Sequence, residues 1–217
     1  MDDLFKPLMA VDWSSLEAVG PTTEKILRTL AADRSALSQL VADLEQNPAL
    51  LSMCEHYDLL DKLVLFGHPE SGFRLRLHLF LPGHFDRPHN HRWTYSSLLL
   101  RGGYRHTLYG EDTALSADID VRTLQPVMVH EQRAGDFYTL SHRMIHSVIA
   151  EPYTVSLIVR GPSVKDRFLV MDRATNQAWW QHGMVQETQD VRAAKVMAPG
   201  YLRKVRTKLS ELDIINA

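Results

Sequence analysis

Residues 83 to 102 read Gly83-His84-Phe85-Asp86-Arg87-Pro88-His89-Asn90-His91-Arg92-Trp93-Thr94-Tyr95-Ser96-Ser97-Leu98-Leu99-Leu100-Arg101-Gly102. Side chains alternate across an extended chain, so two histidines separated by one residue leave the same face. His89 and His91 can therefore grip a cation from one side. A second segment, Gly135 to His146, opens on a Gly-Asp turn, passes through apolar alternation and ends on His146. Three neutral imidazoles brought together from two strands make a facial metal site, and the expected ligands are His89, His91 and His146.

The flanking sequence has the period of a β structure. Before the motif, Phe73, Leu75, Leu77 and Leu79 alternate with Arg74, Arg76, His78 and Phe80 until Pro82-Gly83 stops the strand. After it, strand-like pieces are expected at 92–101, 103–109, 117–122, 126–132, 136–140, 145–150 and 154–160, separated by Gly, Pro and Asp-containing turns. Many short strands with turn signals between them mean a sandwich or a barrel. No intervening segment is long enough for a crossover helix, so the pairing should be antiparallel.

Helices are expected at both ends. Ile26, Leu27, Leu30, Leu37, Leu40, Val41 and Leu44 recur at three- and four-residue spacing, which predicts one helix from Glu24, capped by Thr22 or Thr23, to about Gln46. Asn47-Pro48 starts a second helix carrying Leu50, Leu51, Cys54 and Tyr57. Residues 1–20 have little period and read as a partly ordered arm around Trp13. Residues 162–183 read as irregular, with Trp179-Trp180 covering an end of the barrel. Beyond Glu187 a helix places Val205, Leu209 and Leu212 opposite Arg203, Lys204, Arg206 and Lys208. The expected organisation is a helical extension (1–66), a barrel (67–165), and an irregular segment with a C-terminal helix (166–217), all within one globular domain.

Composition narrows the partners. The 217 residues include 24 basic and 26 acidic side chains, for a net charge of −2. Nothing in that balance argues for nucleic acid or an anionic membrane, and a small molecule is the default partner. Cys54 stands alone and cannot form an intramolecular disulfide. The acidic start Met1-Asp2-Asp3-Leu4 lacks a signal-peptide pattern, and no stretch reaches transmembrane length, so a cytoplasmic location is expected.

The glycines around the histidines extend the pattern. Gly83 stands six residues before His89, Gly102 eleven after His91, and Gly135 eleven before His146. In these spacings residues 70 to 165 resemble the two motifs of the cupin superfamily, which implies an antiparallel jelly-roll barrel with a metal inside. The position of the family's glutamate is Tyr95 or Ser96, Ser141 and Arg143 replace its second-motif Pro and Gly, and Ala150 replaces its final Asn. A three-histidine cupin without the glutamate is similar to the thiol dioxygenases, of which cysteine dioxygenase is the best known. Phe73 to His89 aligns with that family without a gap. Its crosslinking cysteine and tyrosine fall at Ser96 or Ser97 and at Arg160, its carboxylate-binding arginine at Leu63, and its outer histidine at Ile158, while its serine is kept as Ser156.

The resemblance implies iron(II) chemistry with O2 on a small anionic or metal-chelating substrate, possible thiols included. Zinc, nickel or manganese on the same ligands would support hydrolase, isomerase or lyase chemistry, and a cupin pocket can also bind a ligand without turnover. Tyr95 is the nearest group able to hydrogen-bond oxygen there; the alternative is an amphipathic core tyrosine. Arg76 and His78 either face water, as alternation usually dictates, or face the interior, as the resemblance implies. Arg160 is either a carboxylate clamp on the last strand or a strand-end arginine reaching solvent. His106 and His142 read as structural or outer groups, and Cys54 as a buried small apolar group. A homodimer is expected by family analogy alone.

Overall fold

The computed structural model describes residues 2–112, 117–183 and 186–216. The N-terminal third is helical: α1 (Asp2–Phe5), α2 (Pro7–Ala10), α3 (Leu16–Ala32), α4 (Arg34–Asp43) and α5 (Pro48–Leu51). The partly ordered arm is thus ordered helix, because Phe5, Leu8 and Val19 all find buried positions. α3 begins five residues before Pro21, since the Ser15 side chain caps it by accepting from the Ala18 amide. The single helix expected to run to Gln46 breaks at Asp33, whose carboxylate accepts from the Ala36 amide and starts α4. α5 is capped by Asn47 as expected, yet it stops at Leu51, and Tyr57 lies in a strand.

Two antiparallel layers follow. The first has the order β1 (Glu55–Tyr57), β2 (Leu60–Gly67), β3 (Arg74–Phe80), β9 (Val155–Arg160), β4 (Tyr95–Arg101) and β7 (Phe137–Leu140). The second contains β6 (Met128–Arg133), β5 (Gly103–Glu111) and β8 (Met144–Ala150), in that order. Its continuation is the histidine segment itself, which bridges β8 through Phe85–Ile149 and His89–His146. On its other side His89 bridges Val170 in β10 (Arg167–Asp172), which pairs with β11 (Gln177–His182). Mainly β, with helices at both ends, the chain has the expected class. The barrel is not closed, since no ladder joins the two layers among the described residues.

Three expectations need correction. Residues 55–67, expected within a helical extension, are largely strand, because β2 supplies Leu63, Val64 and Leu65 to the core and pairs with β3. The strand expected at 117–122 is a turn leading to a short 3-10 helix over Val121–Thr123, held by the Asp120 carboxylate on the Arg122 amide. Residues 167–182, expected as irregular, form the β10–β11 hairpin, and Trp180 packs with Leu169, Met171 and Ile145. At the C-terminal end, α6 (Gln189–Lys195) and α7 (Pro199–Glu211) form as expected, with Leu202, Val205 and Leu209 buried. No described helix is long and apolar enough to cross a membrane.

The main core lies outside the sandwich. Leu75, Leu77 and Leu79 of β3, with Val155, Leu157 and Val159 of β9, pack against Ile26, Leu27, Leu30, Leu37 and Leu40 of α3 and α4 and against α7. The helices therefore occupy the face where a lone antiparallel sheet would bury its apolar side. The opposite face of the same strands, bearing Arg74, Arg76, His78, Ser156, Ile158 and Arg160, is turned toward the second layer. This inversion of the usual alternation, apolar side chains outward under helices and polar ones inward, positions the site.

One corner fixes how the chain changes layers. β4 passes into β5 at Gly102, which has φ +70° and lies against Thr154; a Cβ there would sit 3.0 Å from the Thr154 Cα. The Thr154 hydroxyl donates to the Gly103 carbonyl. Gly102→Ala is therefore expected to cost about 2 kcal/mol or more, from the left-handed backbone and the clash together. A thermal midpoint equal to that of the parent would contradict the corner's role.

Candidate metal centre

The local chain conformation explains why His89 and His91 project together. His89 and His146 exchange both backbone hydrogen bonds, at 2.9 Å each, which lays the segment along β8. Asn90 points the other way and is fully buried; its side-chain oxygen accepts from the Leu169 amide at 2.8 Å and its amide donates to Asp112. Asp112 also takes Lys165 at 2.8 Å. The residue between the histidines thus pins the segment to β10 and turns both imidazoles into the interior. Sequence reading passed over Asn90, although its place in His-x-His, opposite the ligands, was the available signal.

The three imidazoles converge. One ligand atom from each of His89, His91 and His146 lies within 4.8 Å of the others. His91 Nε2 and His146 Nε2 are 2.8 Å apart. Two of the remaining nitrogens are already committed: His89 Nδ1 to the Arg87 carbonyl at 2.8 Å, and His146 Nδ1 to His106 Nε2 at 2.9 Å. Burial pushes His91 and His146 well below the ordinary histidine pKa, and the neighbouring His89 adds to this in both. Three imidazoles converging on one point suit a divalent cation, so the residues fit a metal.

His106 belongs to the centre without being a ligand. Its Nδ1 meets Gln132 Oε1 at 2.9 Å. With that nitrogen donating to the amide oxygen, His106 Nε2 accepts from His146 Nδ1–H and leaves His146 Nε2 with its lone pair free. His106→Ala is expected to weaken metal affinity roughly 10- to 100-fold, as read by competition with a chromogenic chelator. Unchanged affinity would remove the relay. His142 is no ligand; its ring lies 3.4 Å from the Thr94 hydroxyl.

The other expected residues are gathered around the same cavity, of about 510 Å³, which Arg76, His78, Tyr95 and Arg160 line together with the three histidines. The Tyr95 hydroxyl is 3.3 Å from His146 Nε2, and burial, followed by the neighbouring Tyr138, raises its pKa well above the ordinary value. It stays a protonated donor. Leu63, where the thiol dioxygenases carry their arginine, faces the helices, whereas its neighbour Lys62 lines the cavity. Cys54 is buried, takes a hydrogen bond from the Val64 amide at 3.2 Å and has its thiol pushed up to about 11, which suits a structural thiol.

Opposite the histidines the wall is cationic. Arg74, Arg76, Arg92 and Arg160 line the cavity, and burial is the largest cause lowering the pKa of each. For Arg160, repulsion from Arg76, Arg74 and Arg92 adds to it. Trp93 joins the two poles: its ring stacks on His91 at 4.6 Å, and the guanidinium carbons of Arg76 and Arg160 lie 5.6 and 5.8 Å from its centre.

Two facing antiparallel layers, with His89 and His91 on one segment and His146 on the strand it bridges, reproduce the arrangement that the cupin motifs imply. The fold is of the cupin type. No protein-family model matches the chain, and no curated protein does. Similar solved structures include KdgF from Halomonas sp. (16% identity, 49% of this chain and 82% of that one, TM-score 0.38). Others are an RmlC-like cupin from Shewanella frigidimarina (15%, 52% and 86%, TM-score 0.39) and a cupin 2 conserved barrel domain protein from Rhodopseudomonas palustris (15%, 53% and 68%, TM-score 0.39). At such TM-scores these likenesses carry no weight for function.

Proposed function

We propose that the protein is a non-heme iron(II)-dependent dioxygenase that oxidises a small anionic or metal-chelating molecule, with thiols among the candidates, using O2. The observation that carries this reading is a set of three converging imidazoles with no carboxylate among them, lining one cavity with a group of guanidinium side chains. A centre of this kind keeps the full charge of its cation and leaves positions for a substrate that brings an anionic donor. Iron(II) bound there would supply oxygen activation beside that substrate.

The chain's own residues do the rest. Arg76 and Arg160 draw the substrate's anionic group to the wall opposite the histidines, through charge-assisted hydrogen bonds. His78, neutral through burial and the nearby Lys62 and Arg76, offers a hydrogen-bonding nitrogen on the same wall. The Tyr95 hydroxyl donates into the space in front of His146 and steadies negative charge developing on oxygen. Tyr95→Phe is expected to lower kcat by about a hundredfold with KM little changed; a change in KM alone would contradict that role.

Metal analysis of the purified protein, followed by oxygen uptake with candidate thiols and other small anions, tests the whole reading. Iron with substrate-dependent uptake supports it. Zinc, nickel or manganese without uptake favours hydrolase, isomerase or lyase chemistry, and absence of stoichiometric metal favours a binding module.

A further inference from the structure

The guanidinium wall holds more positive charge than a single carboxylate can balance. Among the described residues, no carboxylate lies within ion-pairing distance of Arg74, Arg76, Arg92 or Arg160, although other arginines in the chain are paired. Of the carboxylates that line the cavity, Asp86 lies 3.3 Å from His84 Nε2, Glu55 is held by Lys195 at 3.2 Å, and the same Lys195 holds Glu187 at 2.6 Å; Arg76 feels Glu55 only beyond ion-pairing distance. Arg74 and Arg160 stand directly across the β3–β9 ladder from each other. Like charges gathered in a cavity of low dielectric are costly without a partner.

The donors are also incomplete. Arg160 is only 5% exposed, and its Nη1 is spent on the carbonyls of Gly72 and Gly161 at 2.8 and 2.7 Å. Its Nε and the Nε of Arg76 are buried with no hydrogen-bond partner. Arg92 is packed against Gly183, where an added Cβ would come within 2.2 Å of its guanidinium carbon. A glycine there lets the guanidinium lie flat at the end of β11. Orphaned donors on two adjacent strands, with a third guanidinium seated by a glycine, describe an oxyanion cradle.

We infer that Arg76, Arg92 and Arg160, with Arg74 behind them, bind a doubly charged oxyanion, a phosphoryl or dicarboxylate head group, at the pole of the cavity opposite the three histidines. This rests on the reading of the cavity as the substrate site and specifies its substrate class. A monocarboxylate has oxygens enough for the two buried Nε donors, but its single charge would leave most of the positive charge uncompensated. A dianion presents several acceptor oxygens, enough for guanidinium groups from β3 and β9 at once. Because Trp93 touches both His91 and the arginine pair, the head group and the metal-binding donor belong to one compact molecule.

The test is calorimetric titration of the purified full-length protein with inorganic phosphate, malonate and acetate at constant ionic strength. Phosphate or malonate, or both, should bind at least about tenfold more tightly than acetate, since charge-assisted pairs separate the two classes by that much or more. Preference for phosphate assigns a phosphoryl head and preference for malonate a dicarboxylate. Arg76→Gln and Arg92→Gln should each weaken the dianion about tenfold, with far-UV circular dichroism matching the parent to show that each variant folds. Gly183→Ala, which keeps every charge but displaces Arg92, should weaken it as well. His91→Ala should bind the dianion as the parent does. Acetate binding as tightly as the dianions, or an Arg76→Gln/Arg92→Gln protein binding phosphate like the parent, would overturn the inference. Oxygen uptake failing while dianion binding persists would remove the dioxygenase reading and leave the cradle; the reverse would remove the cradle alone.

Discussion

His146→Ala is expected to abolish stoichiometric metal binding in a protein that remains folded. Of the three candidate ligands His146 has the most contacts: it supplies Nε2 to the cluster, its Nδ1 is held by His106, and its backbone exchanges two hydrogen bonds with His89. Alanine keeps the backbone pairing, so β8 and the histidine segment stay together. It removes the ring that completes the triad, leaving two imidazoles on one segment. The loss should exceed the roughly 10- to 100-fold expected of an outer partner such as His106, which orders the two variants. Chelator competition on both proteins, with far-UV circular dichroism to show that they fold, checks that order. A His146→Ala protein that holds metal as tightly as His106→Ala would sink it.

The second large effect concerns stability. Leu77→Ala is expected to destabilise the protein by about 3 kcal/mol, within the range for large-to-small changes at fully buried sites. Leu77 is 0% exposed and belongs to the core that β3 shares with the helices. Its neighbour Arg76, one position away and on the other face, should lose much less on change to glutamine, since its guanidinium lines the cavity and its Nε makes no hydrogen bond. For a chain of this size such a difference corresponds to a gap of roughly 10 °C in thermal midpoint. Denaturant unfolding of the two variants side by side reads it. Equal midpoints, or a larger loss for Arg76→Gln, would mean that the polar side of β3 is the load-carrying one and that the layers have been read the wrong way round.

That contrast also marks what the sequence could disclose. The alternation of leucines with Arg74, Arg76 and His78 says that two faces differ, and it leaves open which faces water. The choice comes from the helices: α3, α4 and α7 cover the leucine face, so the polar face becomes the interior. The histidine triad was legible because it depends on local spacing and on glycine turns such as Gly102, whose positive φ the chain needs. The histidine segment itself pairs through isolated bridges around Pro88 rather than as a regular strand.

Other elements were hidden for the same kind of reason. β2 reads as a short apolar run after two helices, and only its pairing with β3 makes it a strand. The β10–β11 hairpin lacks strict alternation because Trp179 and Trp180 are adjacent; Trp180 packs inside while Trp179 is substantially exposed. Asp33 looks like any helix-surface aspartate until its carboxylate is seen capping α4. In the site, Asn90, His106 and Gln132 act through hydrogen bonds between segments distant in sequence, and spacing carries no trace of such contacts.

The central claim is that His89, His91 and His146 hold one cation between two β layers. Anomalous diffraction from crystals of the iron-loaded protein, collected on both sides of the iron absorption edge, tests it most directly. The account predicts a single edge-dependent peak bounded by those three rings, which disappears in crystals of His146→Ala. A peak elsewhere, or no peak while the rings turn away from one another, would contradict it.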